Sequence, residues 1–213
     1  MPEILKIDPL YPEPSLIEKA TEIMKRGGVI AYPTETFYGL GVDATNERAI
    51  EKIYTIKGRE DKKPISIIIG SAHDVDIFAV NISESGRKLM RRFWPGGMTL
   101  VFEASPAIPE ILTAETGTIG IRYSSHAIAA ELARNLAGAL TATSANISGE
   151  KACTSADDVI ETLGDRIDAL VDGGIAPGGS GSTIIDASME PPVILREGII
   201  ASSLIDEIIG CSS

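Results

Sequence analysis

The sequence predicts an α+β domain of the three-layer α/β type, with helices packed on a twisted mixed sheet. Three observations carry this. Short apolar runs of strand length alternate with amphipathic segments of helical period from one end to the other. Neither a repeat nor a long low-complexity tract divides the 213 residues, so residues 1–213 read as a single domain. The composition, 44% apolar and 23% charged, is that of an ordinary globular chain large enough to fold without a metal or disulfide staple.

Each element has its own signal. Ser15 to Gly27 reads as a helix with Ser15 and Glu18 as a capping box and Gly27 as its stop. Gly28 to Tyr32 is a strand, and the polar, Gly-containing Pro33 to Gly41 a loop. Asn46 caps a helix running to Lys57, and Pro64 leads into the strand ISIII, closed by Gly70. Ser83 to Phe93 is a helix stopped by Pro95-Gly96-Gly97, and Thr99 to Glu103 and Thr118 to Tyr123 are strands. His126 to Leu136 is an Ala-rich helix, Ala139 to Thr143 a strand, and Ser155 to Leu163 a helix capped by Ser155 and Asp158. Strands follow at Ala169 to Asp172, Thr183 to Asp186 and Val193 to Arg196, then a helix at Ser203 to Ile209. Gly173 to Ser182 resembles a linker, but strands flank it closely, which makes it a loop inside one domain.

Composition excludes several functions. The longest near-continuous apolar runs, such as Ile65 to Ile69, fall far short of the ~20 residues a spanning helix needs. The opening MPEILKIDPL predicts no secretion signal, and Cys153 and Cys211 read as unpaired thiols, so the expected location is cytoplasmic, with no membrane partner. Two scattered Cys and two His build no zinc site, and no metal site is expected. The net charge of −11, concentrated in acids after residue 149, argues against nonspecific wrapping of nucleic acid.

There is no phosphate-binding P-loop motif and no complete G-x-S-x-G. Gly39-Leu40-Gly41-Val42-Asp43-Ala44 matches G-x-G-x-x-A, but it neither leaves its strand directly nor opens a helix, so its glycines read as turn residues. What remains is a series of polar segments at strand ends, the usual place for ligands in such sheets. In chain order they are YPTETFYGLG, KGREDKKPIS, WPGGMT, TIGIR, ATSANISG, GGSGSTIID and LREG. Lys57, Arg59 and Lys63 cluster where a helix C-terminus and the following turn can aim them at polyphosphate. Arg122 and Arg196 sit in apolar strands, where a buried guanidinium needs a partner.

Those seven segments, in that order, resemble the YrdC-like family, the threonylcarbamoyl-AMP synthases, over about residues 15 to 200, which implies the YrdC-like fold, a twisted mixed sheet flanked by helices with a concave active-site cleft. The resemblance implies that L-threonine and bicarbonate form a carbamate, which attacks the α-phosphate of ATP and releases pyrophosphate. It implies Mg²⁺ accompanying ATP. It also implies partner proteins that pass the threonylcarbamoyl group to the tRNA adenosine beside the anticodon, with tRNA itself a candidate ligand. By the same resemblance Lys57 and Arg59 are the catalytic cations. Lys57, Arg59, Lys63, Thr118, Asn146, Thr154 and Arg196 fall at the ATP positions, and Thr34, Arg122, Ser144 and Ser182 hold threonine. Ile68 stands where longer members carry a His. Two other readings predict different behaviour: an RNA-binding module without catalysis, and a carbamoyl-adenylate-forming enzyme acting on another substrate.

Overall fold

A computed structural model describes residues 1–58, 63–136 and 138–210. The elements in chain order are β1 (Glu3–Lys6), α1 (Pro14–Lys25), β2 (Ile30–Pro33), β3 (Tyr38–Gly41), α2 (Glu47–Lys57), β4 (Ser66–Ile69), α3 (Val75–Phe78) and β5 (Ala79–Val80). There follow α4 (Glu84–Phe93), β6 (Met98–Ala104), α5 (Glu110–Thr113), β7 (Thr118–Arg122), α6 (Ala127–Asn135) and β8 (Ala139–Ser144). The chain continues through α7 (Ala156–Leu163), β9 (Ala169–Asp172), β10 (Thr183–Asp186), β11 (Val193–Arg196) and α8 (Ser202–Ile209).

Among the described residues the strands form one mixed sheet in the order β1-β9-β2-β3-β8-β4-β7-β6-β10-β11, with β5 paired to β6. The pairs β1/β9, β2/β9, β4/β7 and β6/β10 are parallel, and the other neighbours are antiparallel.

Strand alternation sorts the core into two layers. Ile67 and Ile69 of β4 join Leu100, Phe102, Ile119 and Ile121 on a face packed by Ala49, Ile50 and Ile53 of α2, Leu89 of α4, Val159 of α7 and Ile205 of α8. Ile68 points the other way, into a smaller core with Ile30, Tyr32 and Leu140, covered by Ile17, Ala20 and Met24 of α1 and Ile128, Leu132 and Ala133 of α6. Helices α1 and α6 cover only part of this second face. Beyond the part they cover, residues of this face, among them Ser66, Thr99, Arg122 and Ile184, form the floor of a cleft.

Caps explain several boundaries. Asn46, Ser83 and Ser155 each accept a backbone N–H of their helix's first turn, and Asp158 completes a capping box with Ser155. Helix α1 departs from expectation. Glu13 is the capping residue and Pro14 opens the helix, so Ser15 lies inside it and makes no cap. The segment 38–41, expected as loop, is strand β3 in a hairpin with β2, with Tyr32 opposite Gly39. Its glycines make room for the Tyr32 ring: a Cβ on Gly39 would lie 3.0 Å from it, and one on Gly41 2.7 Å from it and from Leu140. Strand β1, at the sheet edge, has no counterpart in the sequence reading.

Candidate functional site

The cleft encloses about 360 Å³. Its floor and walls come from segments brought together by sheet order, not by sequence. Tyr32, Thr34, Thr36 and Phe37 come from the β2–β3 hairpin, and Pro64, Ile65 and Ser66 from the entry to β4. Thr99 starts β6, Arg122 ends β7, and Ala142, Thr143 and Ser144 end β8. Gly181, Ser182, Ile184 and Arg196 close the far wall. Gly120 keeps the floor open between its neighbours, because a Cβ there would sit 2.5 Å from Ser66 Oγ and 3.2 Å from Thr99 Cγ2.

All four residues expected to hold threonine line this cleft. Thr34 Oγ1 donates to Phe37 O at 2.7 Å and lies 3.1 Å from Thr36 Oγ1, which sets the hairpin turn. Ser182 Oγ accepts from Thr99 Oγ1 at 3.0 Å and from Arg196 Nη2 at 3.2 Å. Ser144 Oγ donates to Asn146 Oδ1 at 2.6 Å.

Arg122 is 7% exposed. Its Nη1 lies 3.2 Å from Glu35 Oε1, the partner a buried guanidinium requires. The contact is an ion pair by distance and not an aligned hydrogen bond: Arg122 Nε and Glu35 Oε1 both lack a hydrogen-bond partner among the described residues. Glu35 Oε2 accepts from Ser124 Oγ, which in turn accepts from His126 N at 3.1 Å. Burial holds the His126 imidazole below its ordinary pKa, and the nearby Glu35 charge pulls the other way.

The expected ATP positions divide. Arg196 lines the cleft but is exposed, unlike the buried strand arginine its apolar setting suggested. It donates to Ser182 O from Nε at 3.2 Å and from Nη2 at 2.7 Å. Loss of solvent around its guanidinium, and then the positive field of Arg122, hold its pKa below the usual value. Lys63 is exposed and precedes Pro64 at the cleft wall, its carbonyl accepting from Tyr54 Oη at 2.9 Å.

Lys57 lies beneath the cleft, which corrects the expectation of a cation aimed at it. It is 1% exposed, and Nζ donates to Ser144 O at 2.6 Å, Asn146 O at 3.0 Å and Asn146 Oδ1 at 2.9 Å. Asn146 is likewise built into this turn, with Nδ2 donating to Glu150 O at 2.6 Å. Thr154 does not line the cleft; its N and Oγ1 both donate to Asp158 Oδ2 in front of α7. Thr118 shares a strand face with Arg122 but lies four residues away, roughly 13 Å along the strand. Its hydroxyl pairs with Thr116 Oγ1 at 3.0 Å. Arg59 lies outside the described residues.

The sequence reading missed Glu35, Ser66 and Thr99 as site residues. A carboxylate in YPTET and a buried Arg in TIGIR were both visible, and the need of one for the other was the available signal. Ser66 and Thr99 carry no signal before the strand order is known. Ile68 packs into the α1–α6 core and does not reach the cleft.

Comparison with known proteins agrees with the fold and with the motif order. A family model, Sua5_yciO_yrdC, described as telomere recombination, matches residues 22–198. The chain is 38% identical over 194 residues to a threonylcarbamoyl-AMP synthase of Pyrococcus abyssi, covering 91% of this chain and 57% of that protein. It is 37% identical over 195 residues to the threonylcarbamoyl-AMP synthase of Bacillus subtilis, covering 91% of this chain and 56% of that protein. The chain therefore spans somewhat over half the length of these relatives. The crystal structure of P. abyssi Sua5 complexed with L-threonine superposes with a TM-score of 0.93 at 37% identity, covering 97% of this chain and 61% of that one.

Proposed function

This chain belongs to the Sua5–YciO–YrdC family, and from that premise we propose that it joins L-threonine, bicarbonate and ATP into threonylcarbamoyl-adenylate with release of pyrophosphate. One observation carries the reading. The cleft lining presents two guanidinium groups, Arg122 and Arg196, and no carboxylate among the described residues. Such a surface selects anionic ligands, and in this reading Arg122 takes an amino-acid carboxylate and Arg196 a phosphate chain. The bound L-threonine of the P. abyssi relative supports the first half of that assignment.

The chemistry suits the residues. The threonine amine displaces water from bicarbonate to give the carbamate. A carbamate oxygen attacks the α-phosphorus, and the bond to pyrophosphate breaks. This needs alignment and charge stabilisation more than proton transfer, and the lining contains neither His nor Cys among the described residues. In this reading Arg122 holds the threonine carboxylate, with Thr34, Ser144 and Ser182 around the rest of the amino acid. Arg196 and Lys63 face the phosphates, and Arg59 is assigned to them from the sequence motif alone. Lys57 acts indirectly, by holding the Ser144–Asn146 turn.

Mg²⁺ belongs to the proposal as the companion of the ATP phosphates. A lining without carboxylates offers the ion no ligand set of its own, and ATP-bound Mg²⁺ needs few protein ligands. No group of acidic, His or Cys side chains among the described residues forms a metal site, and no described helix is long and apolar enough to cross a membrane. We read residues 1–213 as one YrdC-like domain working in the cytoplasm, its product consumed by proteins that transfer the threonylcarbamoyl group to tRNA.

The test is pyrophosphate release from Mg-ATP with and without L-threonine and bicarbonate, with the nucleotide product identified by mass. Release that requires both, with a threonylcarbamoyl-adenylate mass, is expected. Release indifferent to threonine would overturn the substrate assignment.

A further inference from the structure

We infer that Glu35 is the positioning residue of the amino-acid end of the cleft, holding the Arg122 guanidinium by charge while leaving its N–H donors for a substrate carboxylate. The identity of that substrate rests on the synthase reading above; the positioning role rests on the following geometry.

Glu35 does not line the cleft, so any effect it has on a ligand passes through another residue. Its carboxylate is tied at one oxygen by Ser124 Oγ and faces Arg122 Nη1 at 3.2 Å with the other. Four segments meet there. The hairpin turn supplies Glu35 itself, next to Thr34. The end of β7 supplies Arg122 and Ser124. The entry to α6 joins through His126 N on Ser124 Oγ. The 95–97 turn closes over it, so that a Cβ on Gly97 would lie 3.9 Å from Glu35 Cγ. A carboxylate fixed this way is a rigid anchor.

The Arg122 contact is unusual in what it leaves undone. A structural Arg–carboxylate pair in a protein interior ordinarily uses the fork of parallel N–H···O bonds. Here Arg122 Nε and Glu35 Oε1 are both buried and lack a hydrogen-bond partner among the described residues, at the edge of a cleft that Arg122 lines. The Nε donor is sealed from the cleft, so a carboxylate entering it meets the Nη donors, for which the described residues supply no hydrogen bond, and pairing them offsets the cost of a buried guanidinium. Glu35 therefore locates the guanidinium without satisfying it.

The experiment uses the full chain with Glu35→Ala, Glu35→Gln, Arg122→Ala and the double variant Glu35→Ala/Arg122→Ala. L-threonine and ATP binding are measured by titration calorimetry, and both KM values by pyrophosphate release. Glu35→Ala is expected to weaken L-threonine roughly 10-fold or more while leaving ATP within about 2-fold, the scale of one charge-assisted contact. Glu35→Gln keeps the shape without the charge and should fall between Glu35→Ala and the wild type. The double variant should bind L-threonine no worse than Arg122→Ala alone, because Glu35 acts only through Arg122.

Equal losses for both ligands, additive losses in the double variant, or tighter L-threonine binding in Glu35→Gln would each overturn the inference. Should Glu35→Ala fail to fold, the near-isosteric Glu35→Gln decides on the same ligand split. Wild-type protein that binds L-threonine without releasing pyrophosphate retires the synthase reading alone, and Glu35→Ala still decides the anchor. Wild-type protein that binds no L-threonine overturns both.

Discussion

Replacing Lys57 by methionine keeps an apolar stem of the same reach out to Cε, with sulfur in place of Cδ, and removes the ammonium, which donates to Ser144 O, Asn146 O and Asn146 Oδ1. The three acceptors do not suffer equally. Ser144 O keeps a donor in Asn146 N at 2.9 Å, and Asn146 Oδ1 keeps one in Ser144 Oγ at 2.6 Å. Asn146 O is the one left needing a new partner, at a cost of about 1–3 kcal/mol, and the weakening of the other two adds about 1 kcal/mol together. The sum, about 2–4 kcal/mol, corresponds to a fall in Tm of roughly 5–15 °C for a chain of this size. Thermal and urea unfolding measure the global loss, and amide exchange at Ala145 and Asn146 measures the local one. Pyrophosphate release should fall as well, because Ser144 is set by this turn. A Lys57→Met protein with wild-type Tm and wild-type exchange at the turn, losing only ATP use, would refute the reasoning and make Lys57 a direct phosphate ligand.

Arg196→Ala should raise the KM for ATP about 10-fold or more with Tm nearly unchanged, since the side chain is exposed and its hydrogen bonds run to Ser182 alone among the described residues; steady-state kinetics at saturating threonine checks this, and an unchanged KM removes Arg196 from the nucleotide end. Gly41→Ala drives a methyl to within 2.7 Å of the Tyr32 ring and Leu140, and should cost about 1–3 kcal/mol in urea unfolding; an unchanged midpoint would mean that β3 can shift. His126 is held below its ordinary pKa by burial, so the unfolded chain takes up the proton first as pH falls below about 6.5. Its contribution to stability is therefore present above that pH and lost on acidification through the folded-state pKa. His126→Gln should flatten the decline in Tm between about pH 7 and 5, and parallel profiles for the two proteins would contradict the assignment.

How far the sequence could be read depended on whether the cause was local. Helices α2, α4 and α7 were legible because Asn46, Ser83 and Ser155 cap within three residues of themselves. Helix α1 shifted because Pro14, with its fixed φ and missing N–H, fits the first helical position better than Ser15 fits the cap. Strand β3 was invisible for a nonlocal reason. Two glycines in four residues look like a turn until the Tyr32 ring they accommodate is known to lie opposite. The site shows the same division. Thr34, Arg122, Ser144, Ser182 and Arg196 converge as the motifs suggested, because strand ends converge. The destination of Lys57 could not be seen, since its acceptors lie 87 and 89 residues away and a lysine at the end of a helix, before its capping glycine, looks the same whether it faces solvent or folds beneath a distant turn.

The floor of the cleft has a thermodynamic consequence for whatever binds there. Ser66, Thr99, Arg122 and Ile184 stand on strands whose backbone groups are already paired to their neighbours. These residues lost their conformational freedom when the chain folded, so a ligand arriving on this floor does not have to order them again. Affinity then falls chiefly to shape and charge at fixed positions. Selectivity between two amino acids that differ by one methyl becomes a question of rigid geometry, answered by the wall and not by its adjustment.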